Sequence, residues 1–193
     1  MMSEDPIARF AEELERARPT EPFDASRCAL ATADRDGQPD VRFVLLKSVD
    51  DDGFVFYTNL ESAKGRDIAA NPHAALVFHW HTIGVQVRVR GPVTQVSDTE
   101  ADAYFATRDR GSQLGAWASR QSSVLASRES LEAAVAEVAR RFENVSVPRP
   151  PFWGGYRIRP TAIEFWEDRS DRLHDRWLYE RDGGGWHVVR LYP

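Results

Sequence analysis

Apolar and polar residues alternate through most of this chain, and the period changes only in a few connecting stretches. Val85, Val87 and Val89 alternate with Gln86, Arg88 and Arg90, which predicts a two-faced strand within 85–96. Runs at 27–33, 41–49, 53–58 and 74–80 predict further strands. Asp34-Arg35-Asp36-Gly37 and Asp50-Asp51-Asp52-Gly53 turn the chain between the first three, which read as an antiparallel meander. Strand patterning returns at 156–166 and 172–181, and Asp182-Gly183-Gly184-Gly185 leads into a last strand at 186–191.

The helical period occupies the connections. Ile7, Phe10, Ala11 and Leu14 form one stripe of a helix at 7–17. Ser62 caps a short helix that Asn71-Pro72 stops at about residue 70. Ser97-Asp98-Thr99-Glu100 reads as a capping box for a helix to about Thr107. Gly111 interrupts, and a second short helix follows at 112–119. Ser127 opens a longer helix to Phe142, with Leu131, Val135, Val138 and Phe142 as its buried stripe. Pro148-Arg149-Pro150-Pro151 is an extended connector. Strands in the body and helices in the links predict a mainly β chain: one antiparallel barrel with helices outside it, a single domain over 1–193. Within it, 1–24 form a helical lead-in and 148–193 the closing strands.

Composition narrows the function. The net charge of -5 leaves no global basic field for nucleic acid, so any anion site must be built locally. Cys28 is the single cysteine, which excludes an internal disulfide and a cysteine-based zinc cluster, and its apolar neighbours place it in the core. The first residues lack the basic and apolar regions of a secretion signal, and no apolar run approaches membrane-spanning length. A cytoplasmic protein is the expectation.

Several cationic constellations stand out. Arg172, His174 and Arg176 share one face if 172–176 is a strand, which suits an anion and equally suits a charged edge. Arg42 and Lys47 bracket an apolar run at odd separation, so a regular strand points them to opposite faces unless a bulge intervenes; they serve two anion sites, or are snorkelling surface cations. Tyr57-Thr58 to Ser62-Ala63-Lys64 runs from a strand end into a helix start, where free N–H groups and Lys64 favour a phosphate. Tyr104 and Arg108 share a helix face, and Ser112 extends the line if the helix tolerates Gly111. His79 and His81 sit on one strand face without other ligands at metal spacing, so no metal is expected. A Walker loop, G-x-S-x-G and G-x-G-x-x-G are all absent.

Taken in order, Arg42-Phe43-Val44-Leu45-Leu46-Lys47, Phe56-Tyr57-Thr58-Asn59, Gln86-Val87-Arg88-Val89, Ser112-Gln113-Leu114-Gly115-Ala116-Trp117, Arg120-Gln121-Ser122-Ser123, Phe152-Trp153-Gly154-Gly155-Tyr156, Glu164-Phe165-Trp166, Arg172-Leu173-His174-Asp175-Arg176 and Arg190-Leu191-Tyr192-Pro193 resemble the pyridoxamine 5'-phosphate oxidase family over nearly the whole chain. The resemblance implies an FMN-binding split β-barrel of antiparallel Greek-key type, working as a homodimer with FMN between subunits. It implies that Arg42, Lys64, Gln121 and Ser122 surround the FMN phosphate and ribityl chain, with Lys47 adjoining. Tyr57, Thr58, Gln86, Trp166 and Arg176 would hold the rest of the flavin. Lys47, Tyr104, Arg108 and Ser112 would hold the substrate phosphate, and Arg172 and His174 would lie over the substrate ring as the catalytic pair. The implied reaction removes a hydride from the 4'-carbon of pyridoxamine or pyridoxine 5'-phosphate and returns the electrons to oxygen, giving pyridoxal 5'-phosphate and hydrogen peroxide.

Two departures from the family's pattern carry expectations. Ala63-Lys64 stands where the family commonly has Arg-Lys, so one phosphate-facing cation is missing. A lost charge-assisted hydrogen bond of about 1.5–3 kcal/mol weakens FMN binding roughly ten- to a hundred-fold, with Arg66 as the nearest replacement. The short acidic lead-in implies a substrate lid that is missing or differently built. Two other readings stay open on sequence: a related FMN oxidase of a phenazine-type precursor, and a non-catalytic split-barrel protein that binds flavin, haem or pyridoxal phosphate.

Overall fold

The structure, a computed structural model, describes residues 5–193; the first four residues of the expected lead-in lie outside it. Helix α1 (Pro6–Ala17) starts at Asp5, whose carboxylate accepts the Ile7 N–H at 2.9 Å, with Pro6 at the first helical position, where a missing N–H costs nothing. Its stripe is driven into the core: Phe10 meets Phe54 and Phe78 edge-on, both at 4.8 Å.

Ten strands follow, all paired antiparallel: β1 (Arg27–Ala33), β2 (Pro39–Leu45), β3 (Ser48–Asp50), β4 (Gly53–Asn59), β5 (His73–Trp80), β6 (Val85–Gln95), β7 (Trp153–Ile158), β8 (Ala162–Glu167), β9 (Asp175–Asp182) and β10 (Gly185–Leu191). They run in the order β10-β9-β8-β6-β5-β1-β2, and β3, β4 and β7 branch from the far end of β6. The long β6 joins the two parts, its Val85–Arg90 half lying on β8 and its Val93–Gln95 end on β7. The core lies inside the curl, where Leu30, Phe56, Phe78, Val87, Ile163 and Phe165 are buried. Cys28 is buried with them, and burial pushes its thiol up to about 12, which keeps it protonated and inert.

The helices α2 (Ala63–Ala70), α3 (Asp98–Thr107), α4 (Arg110–Ala118) and α5 (Arg128–Arg141) fill the connections. Ser62, Ser97 and Ser127 cap α2, α3 and α5 as the spacing predicts, each side chain accepting an N–H of the first turn. The box at α3 is only half made, because Glu100 turns instead to Arg157. No helix among the described residues is long and apolar enough to cross a membrane.

Several sequence expectations are corrected. The strand expected at 156–166 is two strands, β7 on β4 and β6, and β8 on β6 and β9. The stripe of α5 is only half-buried at Leu131, Val135 and Val138, and Phe142 alone of the four is buried. The strand expected at 41–49 is two strands, with β2 on β1 and β3 on β4. The break falls at Leu46-Lys47, where Leu46 turns inward and bonds Ser26 while Lys47 bonds Val55, so the simple meander does not form. The strand expected at 172–181 starts only at Asp175. Ser170–Arg172 is a short 3-10 turn, and Asp171 and Arg172 take φ of 57° and 61°. Arg172 and His174 therefore do not share a strand face with Arg176. His81 likewise lies in a 3-10 turn beyond the end of β5, off the strand face of His79.

Candidate active site

The strand-to-helix junction after β4 places a buried cation. Lys64, in the first turn of α2, is only 7% exposed. Its Nζ reaches Thr58 Oγ1 at 3.3 Å, Ser62 Oγ at 3.4 Å and Gln121 Oε1 at 3.4 Å, all neutral oxygens. Among the described residues no carboxylate pairs with it directly. Burial first, and then the nearby Arg42 charge, hold its pKa below the ordinary lysine value. Arg42 is better compensated: it donates to Thr32 Oγ1 at 2.6 Å and Asp40 Oδ2 at 2.5 Å, with Asp67 at 3.5 Å. A buried ammonium among neutral acceptors is suited to a phosphate. Arg66, the expected replacement for the cation missing at Ala63, is exposed; it donates to the Glu61 carbonyl and lines an adjoining depression with Arg120 and Gln121. Ser122, beside Gln121, is exposed and has a φ of 71°.

A second cation, Arg108, lines the same cleft as Lys64. The cleft, of about 530 Å³, is lined by Lys47, Tyr57, Thr58, Lys64, Tyr104, Arg108, Ser112, Gln121 and Trp153, among others. The helix does not run through to Ser112: α3 ends at Thr107, Arg108 is extended, and Asp109 caps α4 by accepting the Ser112 N–H at 2.8 Å. The break still delivers Tyr104, Arg108 and Ser112 to one cavity, as the spacing suggested by a different route. Arg108 lies over the Trp153 ring at 4.9 Å, and its Nη1 is buried without a hydrogen-bond partner. Burial lowers its pKa. A buried guanidinium nitrogen lacking a partner is costly unless a ligand completes it.

Between the two cations stands an aromatic stack. Tyr57 lies 4.0 Å from Tyr104 and 5.4 Å from Trp153, with rings within 15° and 7° of parallel. Burial pushes the Tyr57 phenol up to about 12, so it remains a neutral donor. Gly155, opposite Tyr57 on β7, makes room for this ring, since a Cβ there would lie 2.7 Å from Tyr57 Cε1 and 2.9 Å from Val96 Cγ2. We expect Gly155→Ala to push Tyr57 out of the stack and cost about 1–3 kcal/mol of stability by overpacking. Thermal unfolding together with the tyrosine near-ultraviolet circular dichroism checks this; an unchanged spectrum would show that the stack does not depend on Gly155. Trp153 carries no site signal in the sequence, because an isolated tryptophan reads as core; the stack with Tyr57 and Tyr104 brings it to the cleft.

The remaining expected residues form a separate group on the main sheet. Gln86, Trp166 and Arg176 are register neighbours across β6, β8 and β9. The His174 ring lies 4.4 Å from Trp166. Arg176 is held by Glu164 at 2.8 and 2.9 Å and donates to the Tyr192 carbonyl at 2.9 Å. Glu164, buried between Arg88 and Arg176, escaped the sequence reading because only the β6–β8–β9 register brings these three together. Arg172 is exposed in its turn. This group does not line the 530 Å³ cleft within one chain.

Residues 15–142 match the pyridoxamine 5'-phosphate oxidase family, and residues 153–193 match the pyridoxine 5'-phosphate oxidase C-terminal dimerisation region. The chain belongs to the pyridoxamine 5'-phosphate oxidase family. It is 59% identical over 192 residues to the pyridoxine/pyridoxamine 5'-phosphate oxidase of Maricaulis maris, covering 98% of this chain and 86% of that one. It is 57% identical over 193 residues to the protein of the same name from Rhizobium etli, covering 99% and 94%. The crystal structure of PhzG from Burkholderia lata, in complex with tetrahydrophenazine-1-carboxylic acid, superposes with a TM-score of 0.93 at 35% identity, covering 99% of this chain and 94% of that one. The family's split barrel is the fold described above.

Proposed function

We propose that this chain is an FMN-dependent oxidase that converts pyridoxamine 5'-phosphate or pyridoxine 5'-phosphate to pyridoxal 5'-phosphate, with oxygen as acceptor and hydrogen peroxide as the second product. The observation that carries the reading is the pair of cations lining one cleft, buried Lys64 without a direct carboxylate partner and half-buried Arg108 with one buried nitrogen unpartnered. Two phosphates, one from the cofactor and one from the substrate, match them.

Lys64, Arg42, Thr58, Gln121 and Ser122 would hold the FMN phosphate and ribityl chain. Gln86, Trp166 and Arg176 would hold its ring system. The chemistry such a bound flavin would supply is two-electron oxidation of the substrate carbon with oxygen as the final acceptor. Arg108, Ser112, Tyr104 and Lys47 bind the substrate phosphate and thereby fix the pyridine ring's position, an entropic contribution to rate. Arg172 covers the ring and His174 hydrogen-bonds it.

The two residue groups stand apart in one chain, which supports a homodimer in which the sheet residues of one subunit complete the cleft of the other. The sheet presents a trough lined by Ala29, Ala31, Val41, Ala75, Val77 and Leu178, and Val41 and Phe43 on β2 are 64% and 73% exposed. Apolar surface of this kind is characteristic of a subunit interface. The matched dimerisation region also includes Trp166, Arg172, His174 and Arg176. A phenazine-type substrate is the second reading, supported by the likeness to PhzG. The higher identity to the pyridoxine phosphate enzymes and the intact Lys47, Tyr104, Arg108 and Ser112 set favour the phosphorylated vitamer.

The test is turnover in air of the FMN-loaded protein with pyridoxamine 5'-phosphate and pyridoxine 5'-phosphate, followed by pyridoxal phosphate absorbance and peroxide. Turnover with these and none with a reduced phenazine carboxylate is the expected result. Bound flavin with no turnover on either would overturn the oxidase reading in favour of a binding protein.

A further inference from the structure

We infer that Arg169 is a positioning residue that sets the tautomer of the His174 imidazole. The inference rests on the reading in which His174 meets the substrate. Glu167 closes β8 and Asp175 opens β9, and the two are register partners. Two carboxylates directly opposite on neighbouring strands repel. Arg169 lies between them, with Nη2 2.6 Å from Glu167 Oε2 and Nε 2.8 Å from Asp175 Oδ2. The outer oxygens of both acids are engaged as well, Glu167 by Arg9 at 2.9 Å and Asp175 by Arg190. The guanidinium thus converts a repulsive pair into a clamp at the neck of the 168–174 loop.

That loop is under backbone strain. Asp171 and Arg172 occupy the left-handed region in succession, at φ 57° and 61°. Such conformations persist only where the surroundings impose them. The clamp also places the Arg169 backbone N–H, which donates to His174 Nδ1 at 3.2 Å, while Trp166 supports the ring from one side. A neutral imidazole that accepts at Nδ1 carries its proton on Nε2 and offers that N–H outward.

A competitor is present. Asp168 Oδ1 also lies 3.2 Å from His174 Nδ1. It is an acceptor and favours a proton on Nδ1, the opposite tautomer, which would leave Nε2 as an acceptor toward the substrate. Arg169 N–H and Asp168 therefore vote for different tautomers of one ring. The neck clamp holds the N–H in place and decides the contest.

Nitrogen shifts of His174 in the FMN-loaded protein, labelled with [15N]histidine, read the tautomer directly. The expected result is Nε2–H in the wild type and a shift toward Nδ1–H in Arg169→Ala. Removing the competitor, in Arg169→Ala with Asp168→Ala, restores Nε2–H. Activity should follow: Arg169→Ala lowers kcat on pyridoxamine 5'-phosphate roughly tenfold, the scale of one misplaced hydrogen bond. KM and FMN affinity change little, and Arg169→Lys, which keeps a charge at the neck, recovers part of the loss. Unaltered His174 shifts in Arg169→Ala overturn the inference, as does an equal loss of FMN binding, which marks general damage. A His174→Ala variant with full turnover would instead overturn the substrate role of His174, while the nitrogen shifts still decide the tautomer.

Discussion

Arg108→Ala raises the Michaelis constant for pyridoxamine 5'-phosphate by roughly a hundred-fold, with FMN affinity within about twofold of the parent. The size follows from losing up to two charge-assisted hydrogen bonds to a phosphate in a largely desolvated site. The selectivity follows from geometry, since Arg108 sits by Trp153 while Lys64 sits by Thr58 and Gln121. Folding should not suffer. The side chain holds a buried nitrogen without a partner, and removing it relieves that cost while forfeiting the guanidinium contacts with the Trp153 and Phe105 rings. Steady-state kinetics, flavin fluorescence titration and thermal unfolding together check the prediction. An equal loss of FMN binding would show that the two phosphates have been exchanged in the assignment.

Lys64→Met weakens FMN binding by roughly ten- to a hundred-fold and makes the flavin-free protein more stable at neutral pH. Both effects share one cause. In the flavin-free protein Lys64 is a buried ammonium surrounded by neutral oxygens, with burial and Arg42 both disfavouring its charge. Its folded pKa is lowered, so between that value and the ordinary lysine value of 10.5 the unfolded chain binds more protons than the folded one. Stability of the flavin-free protein from this group therefore rises with pH across that window, and below it the full penalty remains. Denaturant unfolding of parent and variant at a series of alkaline pH values should show the rise in the parent and its absence in Lys64→Met. A bound phosphate reverses the preference and returns the lysine to its charged form. Identical pH slopes in the two proteins would refute this account of Lys64.

Much of the fold was legible because strand alternation and helix caps are local. The two-faced pattern of β6, the caps at Ser62, Ser97 and Ser127, and the stripe of α1 all appear where the spacing puts them. The misreadings fall where tertiary contacts override a local pattern. Leu46 leaves the strand period to enter the core and splits one strand into two. The 172–176 run alternates like a strand, yet the Glu167–Arg169–Asp175 clamp and two left-handed residues make its first half a turn.

By itself the sequence determined the family, the antiparallel barrel and the identity of the charged residues, since residue types, their order and their short-range periods suffice for these. Only the tertiary structure decided which charges act together. Arg108 and Lys64 lie 44 positions apart and share a cleft because β4 and the α3–α4 break converge on it. Arg172, His174 and Arg176 lie within five residues of one another and do not share a strand face, because φ at Asp171 and Arg172 turns the chain before β9 begins. Nearness in sequence sets the conformational options, but burial and cross-strand register select among them, and these are long-range quantities.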